Sequence, residues 1–510
     1  MPTMPLVRLI GPPVYKRAMC AGAQTPAPHA GESNQLSGLR NAALLRRPLV
    51  PREQPQMPFA QRPLRFRAVL GAALALAMTA AEAVPSFARQ TGQNCVACHV
   101  SFPELTPYGR WFKLSGYTIG VRQAIPLAGM ALAGITRTKN NDDGTGTSTP
   151  VTARNGLPAF NQASVFLAGK ATDDIGAFVQ YTFAESYSTD GTSVGHSGID
   201  NTDLRWVGRV GNESGDVVKL LYGLTIHNNP TAQDVWNSTP AFGFPFTTSP
   251  TAVRPTAGTQ LEGALAQQVA GIGGYGFYDR TWYGELTAYR TADGLFSVLR
   301  HGQDIGTPGG VARLKGYNPY VRVAYNKEWD AHSMMLGAFG LRVNRYLDNT
   351  NPDSGSDRYT DAGIDAQYQY ISNPHTFTAQ ARYIRERQNF RSSFAQGLTS
   401  NPNDTLNSTN VKATYYYERQ YGATISRFSS SGSADALLYP SGVVYGSGNG
   451  SPGSRGYVLE LDYLPLQNVR LMLQYTTYSQ FNGGGMGYDG VTGRSPRDNN
   501  NLFFNLWVAF

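Results

Sequence analysis

Three residues are spaced for covalent cofactor chemistry: Cys95 and Cys98 stand three apart, and His99 follows directly. Two thiols at this spacing can each form a thioether with a vinyl group of an iron porphyrin, while the adjoining imidazole reaches the iron as proximal ligand. Cys95-Val96-Ala97-Cys98-His99 therefore reads as an attachment site for one covalent haem c, with His99 as the metal ligand. The competing reading is a zinc half-site or a dithiol redox pair. Zinc needs a second close cluster of Cys or His, whereas His196, His227, His301, His332 and His375 are scattered singly and the remaining cysteine, Cys20, lies far upstream. The sixth iron ligand is open. Met472, His227 and Met130 are candidates, each with ordinary packing or a polar surface role as the competing reading.

The stretch that carries this pattern, residues 84–123, is too short to enclose a porphyrin with a core of its own. Something else must supply the wall. Arg110 and Lys113 are placed to pair with propionates or to stay solvated, and Tyr108, Trp111 and Phe112 to pack on the porphyrin or the wall.

The wall is legible downstream. Across 124–510, apolar and polar residues alternate in stretch after stretch: Val179, Tyr181 and Phe183 around Gln180 and Thr182; Val321, Val323 and Tyr325 around Arg322; Tyr457, Leu459, Leu461 and Tyr463 around Glu460 and Asp462. This is the signature of strands with one face in lipid and one in a polar lumen, and about sixteen such stretches are present. Charged residues are 15%, Gly (56) and Tyr (29) are abundant, and mean hydropathy is −0.32, as expected when only every second residue meets lipid. Short turns at Thr172-Asp173, Asn212–Gly215, Asp279, Asp330 and Pro465–Asn468 alternate with long polar loops, which puts both mature termini on the periplasmic side. Leu502, Phe504, Leu506, Val508 and Phe510 end the chain like the assembly signal of outer-membrane proteins. The expected fold is an all-β transmembrane barrel of about sixteen antiparallel strands with a short haem segment packed in or at its lumen. A soluble sandwich or propeller is the alternative, but no blade-length repeat is visible. The loop from Asn228 to about Gly258, rich in Trp and Phe and following the fifth strand, is expected to fold inward and narrow the lumen.

The front end is an address. Arg62, Arg65 and Arg67, an Ala/Leu run from Ala68 to Ala81 and the small-residue site Ala81-Glu82-Ala83 make 57–83 a secretory signal peptide. Residues 1–56 then read as a mis-assigned start upstream of Met57 or a disordered leader. The net charge of +8 is concentrated here: ten basic and three acidic residues precede Val84, and the 33 basic and 32 acidic residues that follow nearly balance. A nucleic-acid partner loses its support.

The runs Phe87-Ala88-Arg89-Gln90-Thr91-Gly92 before the cysteines and Pro107-Tyr108-Gly109-Arg110-Trp111-Phe112-Lys113 after them resemble the fused monohaem cytochrome-porins of iron-oxidising bacteria. Tyr108 stands where that family often has phenylalanine, and the specific match covers about forty residues. The resemblance implies an outer-membrane electron conduit with extracellular ferrous iron as donor and a periplasmic c-type cytochrome as acceptor. Such a chain would act as a ferrous iron:cytochrome c oxidoreductase. Asp142, Asp143, Asp348, Asp353, Asp357 and Asp361 are loop carboxylates that iron could meet, or simply solubilising charges. The competing function is a passive diffusion porin with a haem-bearing plug or redox-sensing segment. A haem peroxidase would need a distal acid-base group, and none stands out.

Overall fold

The computed structural model describes residues 85–147, 149–187, 193–211, 218–301 and 311–510. The leader 1–56, the signal 57–83 and the turn at Asn212–Gly215 lie outside the described residues. Among the described residues sixteen strands close into one antiparallel barrel. In chain order they are β1 (Leu127–Thr138), β2 (Pro158–Lys170), β3 (Ile175–Tyr187), β4 (Ser193–Gly211), β5 (Val218–His227), β6 (Val269–Tyr278), β7 (Trp282–Thr291) and β8 (Asn318–Trp329). Then follow β9 (His332–Tyr346), β10 (Ser356–Ile371), β11 (His375–Asn389), β12 (Asn403–Tyr417), β13 (Tyr421–Gly432), β14 (Ser454–Leu466), β15 (Val469–Gln480) and β16 (Asn501–Ala509). Each pairs with its sequence neighbour, and β16 closes on β1 from Asn501 opposite Thr138 to Ala509 opposite Met130. Closure leaves no strand edge unpaired.

Side chains obey the period of two. Tyr181, Phe183, Val321, Val323, Leu459, Leu461, Leu473 and Phe504 are exposed on the outside, while Gln180, Thr182, Arg322, Glu460, Asp462, Gln474 and Asn505 are buried within. An apolar exterior around a polar lumen is the surface of a barrel solvated by lipid. No helix among the described residues is long and apolar enough to cross a membrane, so crossing falls to the strands.

Turns at one end are tight. Asp279 and Arg280, between β6 and β7, adopt the left-handed region at φ 51° and 52°, and Asp330 does so between β8 and β9 at φ 47°. Asp is among the residues that tolerate this conformation. The first residue of β1 and the last of β16 lie at this short-turn end, and long loops crowd the other. The first strand starts at Leu127 instead of near Ile125, because Pro126 has no N–H to give the ladder and Ile125 is left exposed.

The connection after the fifth strand does fold inward, and it runs further than its sequence suggests, from Asn228 to Gln268. Trp236 is fully buried and donates to Asn326 on β8 (3.2 Å). Its carbonyl accepts from Gln367 on β10 and Gln380 on β11 (2.5 and 2.8 Å). Asp234 and Asp365 flank the buried Arg322 guanidinium (3.4 and 2.7 Å). Further along, Phe244 O meets Asn410 on β12, Thr247 O meets Gln474 on β15, and Ser249 meets Thr136 on β1. The loop thus bridges the lumen, its backbone groups satisfied by wall side chains.

Candidate functional site

Ahead of the barrel come three short helices, α1 (Ser86–Thr91), α2 (Cys95–Cys98) and α3 (Pro107–Leu114), with a small hairpin of His99–Ser101 against Glu104–Leu105. Helix α2 is a single turn that sets Cys95 and Cys98 at its two ends. His99 leaves it extended (φ −122°, ψ 137°), with its N–H donating to Cys95 O. The imidazole Nδ1 lies 3.3 Å from Pro103 O. Donation there fixes the Nδ1–H tautomer and leaves the Nε2 lone pair for a metal.

Loss of solvent around the ring holds His99 down to about 4, against the opposing pull of the Pro103 and Glu104 backbone bonds. The ring is therefore neutral near pH 7, the form that ligates. Burial, then the neighbouring Cys95, pushes Cys98 up to about 11, and burial raises Cys95 as well. A reactive dithiol needs the opposite shift. Among the described residues no group of three or more His, Cys, Asp or Glu is arranged to hold a metal ion. Two thiols at the ends of one turn and an imidazole beside a backbone carbonyl are the donors that this segment brings together.

Helix α3 is pinned against α2. Thr106 caps it, accepting from Gly109 N (3.2 Å), and its hydroxyl donates to Ala97 O (2.5 Å). A Cβ on Gly109 would sit 2.2 Å from Cys98 O, so only glycine permits this approach. Helix α1 is tied to β2: Ser86 donates to Ala168 O (2.5 Å), and Gln90 Oε1 accepts from Lys170 N (2.8 Å). Phe87 packs on Phe112 and Tyr117, with ring centroids 4.9 and 5.3 Å apart.

The barrel then grips the segment around its short-turn mouth. Arg419 donates to Val96 O (2.6 Å) and Arg470 on β15 to Phe102 O (2.9 Å). Lys412 on β12 pairs with Glu104 (2.5 Å), both fully buried. Tyr117 donates to Asp203 on β4 (2.7 Å), Arg205 to Lys113 O (3.3 Å), and Tyr275 on β6 to Leu114 O (2.5 Å). The segment is a plug built from wall contacts, as the shortage of residues for its own core requires.

Several sequence expectations change here. Arg110 and Lys113 are spent on the protein itself: Arg110 donates to Gln367, Gln369 and Ser333 (3.1, 2.6 and 2.9 Å), and Lys113 Nζ donates to Ala232 O (2.5 Å). Neither is left for propionates. Trp111 lies under Arg280 at 4.3 Å, and Phe112 is buried, but Tyr108 stays exposed at the mouth. Asp357 and Asp361 are strand residues of β10, buried and committed: Asp357 accepts from Ser392 N (2.8 Å) and Asp361 from Leu261 N (2.9 Å). Asp142 and Asp143 accept from Gly144 N and Thr145 N, and Asp348 from Thr350 N.

Of the three sixth-ligand candidates, His227 sits at the long-loop end of β5, bonded to Tyr289 (2.6 Å) and in contact with Gln233. The haem-motif turn is at the opposite end, so His227 drops out. Met472 is buried on the lumen face of β15, two residues from Arg470, and Met130 is buried at the start of β1. Sequence reasoning also left the other histidines scattered, yet His196 and His301 come together with ring centroids 5.7 Å apart. Alternation could have turned His196 inward, but nothing in the sequence pairs it with a loop residue so distant.

No protein-family model matches the chain, and no curated protein matches it. Solved structures with a similar trace include an anion-selective porin from Comamonas acidovorans (9% identity, TM-score 0.42, covering 75% of this chain and 98% of that one). They also include the outer membrane channel DcaP of Acinetobacter baumannii (12%, 0.40, 75% and 96%) and Salmonella typhi OmpF in complex with daunomycin (12%, 0.40, 75% and 97%). At those scores the likeness is loose, and the architecture rests on the strand pairing of the chain itself.

Proposed function

We propose that the chain is an outer-membrane electron conduit in which one covalent haem c, held by Cys95, Cys98 and His99, passes single electrons from an extracellular donor, ferrous iron, to a periplasmic c-type cytochrome. In that role it is a ferrous iron:cytochrome c oxidoreductase. The observation that carries the reading is His99: its Nδ1 lies 3.3 Å from Pro103 O while Cys95 and Cys98 stand at the two ends of the adjoining turn. The group when bound supplies a one-electron iron couple.

The chain's own residues do the rest. Cys95 and Cys98 supply the thioether sulfurs, His99 the proximal nitrogen, and Gly109 the close packing of α3 behind them. Arg419, Arg470 and the Lys412–Glu104 pair fix the turn at the mouth where the short turns lie. With the first residue of β1 and the last of β16 at that mouth, the periplasmic side of a barrel of this kind, the cofactor edge would face the soluble acceptor. The inward loop and the plug occupy the lumen from both ends, which disfavours free diffusion of solutes.

The test is reconstitution. Ferrous iron added outside liposomes bearing the purified protein should reduce the porphyrin, followed by its absorbance, and planar bilayers should show a closed barrel. Failure of reduction together with open ion-passing channels would favour the diffusion porin instead.

A further inference from the structure

We propose that an apolar arc of the lumen wall, running from β16 across β1 and β2 to β3, is the face that covers the porphyrin. The inference deepens the conduit reading and rests on it for the presence of the group. Elsewhere in the lumen large aromatic side chains are covered: Tyr275, Tyr283, Tyr289 and Tyr320 are all buried. Phe166, Phe178 and Trp507 also point inward. Phe166 lies between the exposed Val165 and Leu167, Phe178 shares its face with Gln180, and Trp507 shares its face with Asn505. Each of the three is nevertheless only half-buried.

The haem-motif segment meets this arc at both of its ends. Phe102, in the hairpin that His99 opens, has its ring centroid 5.1 Å from the His99 imidazole and 6.1 Å from Trp507. Phe87 on α1 stacks on Phe178 at 6.4 Å, and Phe178 lies 5.5 Å from Phe166. Strand β1 joins the two contacts, with Leu132 opposite Trp507 and Ala128 opposite Phe166. Phe87, Phe102, Cys95, Cys98 and His99 are half-buried as well, so the segment and the wall both keep uncovered surface.

Aromatic faces left to water inside a lumen are surface that burial would stabilise. A flat apolar macrocycle tethered at Cys95 and Cys98 has the chemistry to cover them. Its rim carboxylates need donors, and Arg110 and Lys113 are spent on the wall. Asn505, the next lumen residue along β16 from Trp507, is fully buried and accepts from Asn161 at 3.0 Å. Its Nδ2 has no partner among the described residues, which leaves one amide donor on the arc for a carboxylate.

The experiment uses the full chain in detergent, its intact mass measured and its porphyrin absorbance titrated against electrode potential. Apolar walls disfavour the more highly charged ferric form, so a polar wall should lower the midpoint potential. Phe178→Gln and Trp507→Gln place on the lumen face a residue type it already carries at Gln180 and Gln474. Each should raise the ferric-to-ferrous ratio at a fixed potential about tenfold, a shift of about 59 mV for one electron. Trp507→Phe keeps an aromatic face and should hold the parent midpoint. Phe178 lies outside the seam between β16 and β1, so its variant carries the test should Trp507→Gln disturb closure. A full porphyrin mass with the parent midpoint in every glutamine variant that assembles overturns the arc and leaves the conduit reading standing. A parent chain without the porphyrin mass overturns both.

Discussion

Replacing Glu104 by Gln should release the plug while leaving the barrel intact. Glu104 and Lys412 meet at 2.5 Å with side chains only 1% exposed. Phe246 and Phe244 lie 4.8 and 5.5 Å from its ammonium, and Glu460 on β14 is a second carboxylate that senses its charge. With the Glu104 carboxylate gone that ammonium loses its direct ion pair. Removing one partner of a buried pair costs about 3–5 kcal/mol. Because the pair joins the segment to β12 and not one strand to another, the cost falls on docking. The undocked population should rise on the order of a hundredfold to a thousandfold. Hydrogen exchange followed by mass spectrometry would show lost protection in 95–114 and unchanged protection in β8–β12. Exchanging both partners for apolar residues, Glu104→Leu with Lys412→Met, should recover most of it, since a packed apolar pair can replace a buried ion pair. Unchanged exchange in 95–114 for Glu104→Gln, or an equal loss across the strands, would refute the reasoning.

Further outcomes follow from the same contacts. Cys95→Ala with Cys98→Ala should give a barrel that still shifts on heating in electrophoresis but whose intact mass lacks a porphyrin. Gly109→Ala should force α3 away from α2, because the new Cβ meets the Cys98 carbonyl at 2.2 Å; overpacking of this kind costs about 1–3 kcal/mol or more, visible as a changed absorbance of the porphyrin and faster exchange in α3. Trp236→Ala removes a fully buried ring at the point where the inward loop crosses the lumen, a loss of roughly 3–5 kcal/mol, and bilayer conductance should rise. Lys113 is lowered to about 8 from its usual 10.5, chiefly by burial and then by Arg205. The undocked segment therefore binds more protons between these values, so docking should tighten as pH rises from about 8 to about 10.5, and exchange protection of α3 should increase across that window.

How much of this was legible beforehand depends on the range of the forces involved. The Cys-Val-Ala-Cys-His pattern is local: the spacing of Cys95, Cys98 and His99 needs only one helical turn, and the chain forms that turn. The barrel is nearly as local. Alternation of side chains is fixed by the pleat, so Tyr181 and Phe183 point out and Gln180 and Thr182 point in wherever the strand pairs. Strand number, the long and short connections, and the inward loop after the fifth strand follow from that period and from composition.

Tertiary structure decided where charged side chains spend their interactions. Arg110 and Lys113 looked available for an anionic cofactor, but the lumen wall offered Gln367, Gln369, Ser333 and the Ala232 carbonyl first. Asp357 and Asp361 looked like loop acids and proved to be lumen residues that receive backbone N–H groups. His196 and His301 looked unrelated until barrel closure brought a loop over β4. In each case the deciding contact joins residues far apart in the chain, and a one-dimensional pattern records a residue's face but not the partner that closure sets before it.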